Sequence, residues 1–127
     1  MKIIQNKFIP FKGYSAMMLF GFLFTRDKSR VTDTTVRHEC IHFRQMIEIS
    51  VAALLLLVAL CLLWLSWWWL LLSLTAYYII YGAEWLVRLF MKGNAYRNIS
   101  FEREAYGNET DVNYLKNRKL FAWIEYL

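Results

Sequence analysis

Histidine is nearly absent from this chain, with two in 127 residues. Proline occurs once, at Pro10, and cysteine twice, at Cys40 and Cys61. Charge is missing altogether from residues 49–83, a stretch made mostly of Leu, Trp, Tyr, Ile and Ala. Each scarcity excludes something. Two isolated cysteines build no disulfide framework and suit a reducing compartment. The net charge of +5 invites nucleic acid as a partner, but there is no zinc-finger spacing, basic helix or stacking platform to receive it. The basic residues instead flank the apolar run, as they do at the cytoplasmic edges of membrane proteins. Residues 1–10 show no apolar core followed by a cleavage site, so no cleaved signal peptide is expected there. The length predicts a single domain over 1–127. Its stretches are 1–48, mixed in character, 49–83, a membrane insert, and 84–127, mixed again.

Both histidines fall within five residues, His38-Glu39-Cys40-Ile41-His42. This is the pattern H-E-x-x-H. On a helix, positions i and i+4 share a face. Two imidazoles so placed can reach one metal ion, with Glu39 beside them to handle a proton, as in the helical zinc site of metallopeptidases. The plainer alternative is a helix with polar residues on one face and no metal. Cys40 points away from the histidine face and reads as packing. Thr32, Asp33 and Thr34 offer N-caps for this helix. Thr35, His38, Glu39, His42, Gln45 and Ile49 follow one face at helical spacing.

The apolar run decides the expected topology. As one helix its roughly 35 residues would extend about 52 Å, against a hydrocarbon core of about 30 Å. Two spans joined near Leu65-Ser66-Trp67 fit better, with Trp67-Trp68-Trp69 at the far interface and Tyr77, Tyr78 and Tyr81 at the returning one. Arg37 and Arg44 precede the run; Arg88, Lys92 and Arg97 follow it. Both flanks are positive and both are expected on the cytoplasmic side, which two crossings satisfy.

Upstream, Lys2 to Phe11 reads as a short strand or extended arm. Tyr14 to Phe24 is too short to span a bilayer; it reads as a buried strand or hairpin or as an interfacial segment, and a strand between Gly13 and the Arg26–Ser29 turn is favoured. Such an edge could hold an extended peptide, or simply close the core. Downstream, Glu84 and Arg88 form an i, i+4 pair, Gly93 ends that helix, and Ser100 can cap the next. Thr110 or Asp111 is expected to cap a last helix from Asn113 to Leu127, with Leu120, Trp123, Ile124 and Leu127 as its apolar stripe.

A catalytic zinc usually takes three protein ligands, and no third histidine exists. Glu84, Glu102, Glu104, Glu109 and Asp111 are the candidates. His38-Glu39-Cys40-Ile41-His42, followed by Glu102-Arg103-Glu104-Ala105-Tyr106, resembles the gluzincin class of zinc metallopeptidases. It is most similar to the membrane-bound HtpX-type peptidases and the minigluzincins. In those membrane peptidases the third ligand begins a Glu-x-x-Ala-Asp segment. Glu102 and Ala105 match it, and Tyr106 stands where the family has the Asp that orients a zinc-bound histidine. The resemblance implies a mainly α, helical integral membrane protein, with a transmembrane hairpin, a small zincin-like cytoplasmic body and room for a short N-terminal β-hairpin. It implies Zn2+ on His38, His42 and Glu102, with Glu39 as general base. With Glu102 facing the metal, Tyr106 lies one turn further on the same face, where its hydroxyl could hydrogen-bond a histidine or stabilise an oxyanion. The expected function is a multi-pass metallopeptidase of the inner (cytoplasmic) membrane, its site facing the cytoplasm, acting on peptides or membrane proteins. The alternatives are a non-catalytic metal-binding sensor or complex subunit, and an assembly protein in which the motif is incidental. The bilayer is the expected partner, and a homodimer is compatible with an exposed hairpin.

Overall fold

The computed structural model describes residues 2–9 and 16–127. Pro10, Phe11, Gly13, Tyr14 and Ser15, which the expected N-terminal elements include, lie outside the described residues. The architecture is mainly helical with a small sheet. Strands β1 (Lys2–Gln5), β2 (Ala16–Leu19) and β3 (Phe22–Thr25) lead to helices α1 (Asp33–Leu63), α2 (Ala76–Leu89), α3 (Ser100–Asn108) and α4 (Tyr114–Asn117). Two compact units can be distinguished, 1–44 with 104–119, and 45–103 with 120–127.

In the first unit, the sheet order is β1-β3-β2, with β1 parallel and β2 antiparallel to β3. The apolar run before Thr25 is therefore a hairpin and not one strand. The reason is local. Phe20 and Gly21 both take positive φ, 48° and 83°, the signature of a two-residue primed turn whose twist matches the flanking strands. Leu19 and Phe22 close it. Alternation then puts Ala16 and Met18 of β2, and Leu23 and Thr25 of β3, on the buried face. Gly21 is also required sterically, since a Cβ there would lie 2.8 Å from Cε2 of Phe43.

The turn after β3 is closed by Asp27, whose carboxylate accepts from the Ser29 hydroxyl and amide. Those bonds hold its carboxyl below the ordinary range. Thr32 caps α1, its hydroxyl accepting from the Thr35 amide.

In the second unit, α1 continues to Leu63, a 31-residue helix about 46 Å long. It is the one helix among the described residues long and apolar enough to cross a membrane. The chain reverses at Leu65-Ser66, where expected, with the Cys61 thiol donating to the Ser66 carbonyl. The return differs from expectation. It starts as a 3₁₀ helix over Trp67–Leu74 and bends by 60° at Thr75 into α2. The pair passes as one broken span or as a re-entrant loop, by length and composition.

Tyr77 does not face an interface. It is 3% exposed in a core with Ile49, Ile99 and Phe101, and Tyr78 and Tyr81 pack against that core. The expected C-terminal helix is also broken. It comprises α4 and a 3₁₀ turn over Ala122–Tyr126, separated by Phe121 at φ 55°. Of the expected stripe, Trp123 packs on Phe101 with ring centroids 4.8 Å apart, while Leu120, Ile124 and Leu127 are exposed.

Replacing Gly21 by Ala should destabilise the fold by about 1–3 kcal/mol, because a side chain is forced to positive φ against Phe43. A lowered thermal midpoint in detergent checks this. An unchanged midpoint would refute the turn assignment.

Candidate metal centre

The N-terminal half of α1 buries one face. His38, Glu39, Ile41, His42, Gln45, Glu48 and Ile49 are each under a tenth exposed. Burying so many polar groups is costly unless each finds a partner. His38 and His42, one turn apart, place their Nε2 atoms 3.0 Å from each other. The Nδ1 of His38 lies 2.8 Å from Oε2 of Glu109. Tyr106 sets its ring against His38, with centroids 4.7 Å apart and planes at 63°.

Three helix turns of α1 and α3 matter here. Gln45, one turn after His42 and fully buried, donates from Nε2 to the Phe101 carbonyl at 3.1 Å. The next residue, Glu102, is 2% exposed. Its Oε1 accepts from the Tyr81 hydroxyl at 2.7 Å, while Oε2 accepts no hydrogen bond. His38, His42 and Glu102 each offer a ligand atom, and these lie within 4.8 Å of one another. The donor chemistry fits a divalent ion of the zinc type, since two imidazole nitrogens and one carboxylate oxygen are a known catalytic zinc set. A buried carboxylate oxygen with no hydrogen-bond donor is likewise a position that a cation can satisfy.

The five acidic candidates for a third ligand separate cleanly. Glu84 caps α3, its oxygens accepting from the Ser100 amide at 2.8 Å and hydroxyl at 2.6 Å, and it also pairs with Arg88. Glu104 is fully buried and gripped by the Arg118 guanidinium, with the Tyr114 hydroxyl as a further donor. Asp111 accepts from the Asn113 amide. Glu109 faces the far nitrogen of His38. Glu102 alone of the five joins the histidines.

Two participants escape sequence reasoning. Tyr81 reads as an interfacial tyrosine but holds Glu102. Glu109 reads as a possible ligand but holds a histidine. Neither spacing nor motif carries a signal for either, because both contacts bridge distant stretches. Glu39, next to His38 and 7% exposed, stays on the buried face of α1. No family model matches the chain, and no curated protein or solved structure matches it either.

The Glu102/Glu104 distinction is directly testable. Glu104→Ala leaves the Arg118 charge buried and should cost about 3–5 kcal/mol of stability. Glu102→Gln should keep the fold but lose bound metal. Thermal melts and metal analysis of both variants check this, and the reverse pattern would show the assignment to be wrong.

Proposed function

We propose that this protein is a membrane-embedded metallohydrolase of the zinc peptidase kind, with His38, His42 and Glu102 as metal ligands. The grouping of those three buried donors is the observation that carries the reading. The H-E-x-x-H pattern adds a base at the usual place, and the resemblance to gluzincins agrees with both. Zn2+ held there would supply Lewis acidity, polarising a scissile carbonyl and lowering the pKa of a bound water to about 7.

The chain's own residues supply the rest. Glu39 takes the proton from the attacking water and passes it to the leaving amine. His38 and His42 would hold the ion through their ring nitrogens. Tyr106, 40% exposed beside His38, offers its hydroxyl to the developing oxyanion.

The membrane reading rests on surface chemistry. Leu55, Leu56, Leu62, Leu63, Trp64, Trp67 and Trp68 are all more than half exposed. Soluble monomers rarely carry so continuous an apolar surface, and lipid is the medium that covers it. The positive flanks at Arg37 and Arg44, and at Arg88, Lys92 and Arg97, argue for two crossings with the site on the cytoplasmic face of the inner membrane. The return limb is then a broken span. Peptides or tails of membrane proteins near that face are the substrates within reach, and a homodimer is compatible with the exposed limb.

The closed character of the site favours a second reading. Both histidines, Glu102 and Glu39 are all under a tenth exposed, and closed sites hold structural metals. A metal-binding sensor or complex subunit would need no more.

Glu39→Gln separates the two. In a peptidase it should reduce cleavage of a membrane-protein substrate by at least about 100-fold while metal content stays at one per chain. His38→Ala and His42→Ala should each remove the metal. Retained cleavage by Glu39→Gln would refute Glu39 as the base, and metal retained by both histidine variants would refute the ligand set.

A further inference from the structure

We propose that Glu109 sets the tautomer and ring orientation of His38, performing from beyond the end of α3 the task for which position 106 holds no carboxylate. The inference rests on the metal reading above. An imidazole that donates its Nε2 lone pair to a metal must carry its proton on Nδ1, and that proton needs an acceptor. The Glu109 carboxylate is that acceptor, with Oε2 at 2.8 Å from Nδ1. An ionised carboxylate can only accept, so the contact selects the Nδ1–H tautomer and leaves Nε2 free for the ion.

The placement is too well braced to be incidental. Glu109 follows Asn108, the last residue of α3. A carboxylate there meets the negative end of the helix dipole, an unfavourable position. Arg37 is the basic group beside it. Arg37, the residue just before His38, donates from Nε to the Glu109 backbone carbonyl at 2.7 Å. Its Nη2 is in turn steadied on the Thr34 hydroxyl at 3.3 Å. Residues 37 and 38 thus take the main chain and the side chain of the same glutamate. The Tyr106 ring also packs on His38. Both side chains are largely withdrawn from water, at 10% exposure for His38 and 25% for Glu109, so the contact is only weakly screened.

The test uses the full chain in detergent. Zn2+ affinity is read by chelator competition, and ligand geometry by the visible absorption of Co2+ in the same site. Glu109→Ala should weaken Zn2+ binding by about 10–100-fold and shift the Co2+ spectrum. Glu109→Gln, which keeps an acceptor oxygen but not the charge, should recover part of that loss. Asp111→Asn, two residues away, where the side chain accepts from the Asn113 amide, should match the parent in both readouts.

If Glu109→Ala has parental affinity and spectrum while His38→Ala loses the metal, Glu109 has no such role and the metal reading stands. If His38→Ala and His42→Ala keep the metal, the metal reading itself falls. Should Glu109→Ala fail to fold, Glu109→Gln decides alone, with parental affinity and spectrum overturning the proposal and a weakened, shifted site supporting it.

Discussion

The buried amide of Gln45 fixes where helix α3 begins relative to helix α1. Its Nε2 donates to the Phe101 carbonyl, and the Tyr77 hydroxyl approaches its Oε1 at 3.5 Å. A fully buried amide cannot trade these partners for water, and losing one leaves a desolvated group that costs about 1–3 kcal/mol. Phe101 is correspondingly immobilised. It stacks on Tyr81 with planes 7° apart and touches Tyr77 and Trp123. Because a helix is stiff over one turn, fixing Phe101 fixes Glu102, the residue that follows it.

The same logic explains why so many acids survive inside so apolar a chain. A carboxylate withdrawn from water is tolerated only with donors or positive charge around it. Glu84 spends its oxygens on the free amide and hydroxyl at the start of α3 and on Arg88. Glu104 takes both arms of a guanidinium. Glu109 takes an imidazole. Glu102 accepts from the Tyr81 hydroxyl.

What the sequence shows, and what it hides, follows from the range of each interaction. The α1 helix was legible because cap, motif and apolar face all have short periods. So were the reversal at Leu65-Ser66 and the Glu84–Arg88 pair. The hairpin turn at Phe20-Gly21 was obscured by an unbroken apolar run, since Phe at positive φ gives no compositional signal. The last helix failed for a tertiary reason. Arg118, which ends α4, turns its side chain into Glu104, and the backbone gives up helical geometry there. Glu102 was favoured over Glu104 through resemblance alone, because the deciding partner, Arg118, lies 14 residues away from Glu104.

The return limb has the most to say about how membrane and site are joined. Eight residues of 3₁₀ helix at a rise of about 2.0 Å each climb about 16 Å, a third more than an α-helix of equal length. After the bend at Thr75, Tyr77 stands at the level of Gln45 and Tyr78 at that of Met46. One turn later, Tyr81 reaches Glu102, and Glu84 reaches Ser100. The limb that leaves the apolar run is thus the limb that caps α3 and holds Glu102. An anchor would need only length and hydrophobicity. This one ends in residues whose polar atoms are committed to Gln45, Met46, Ser100 and Glu102, so excising the run would remove the contacts that hold Glu102.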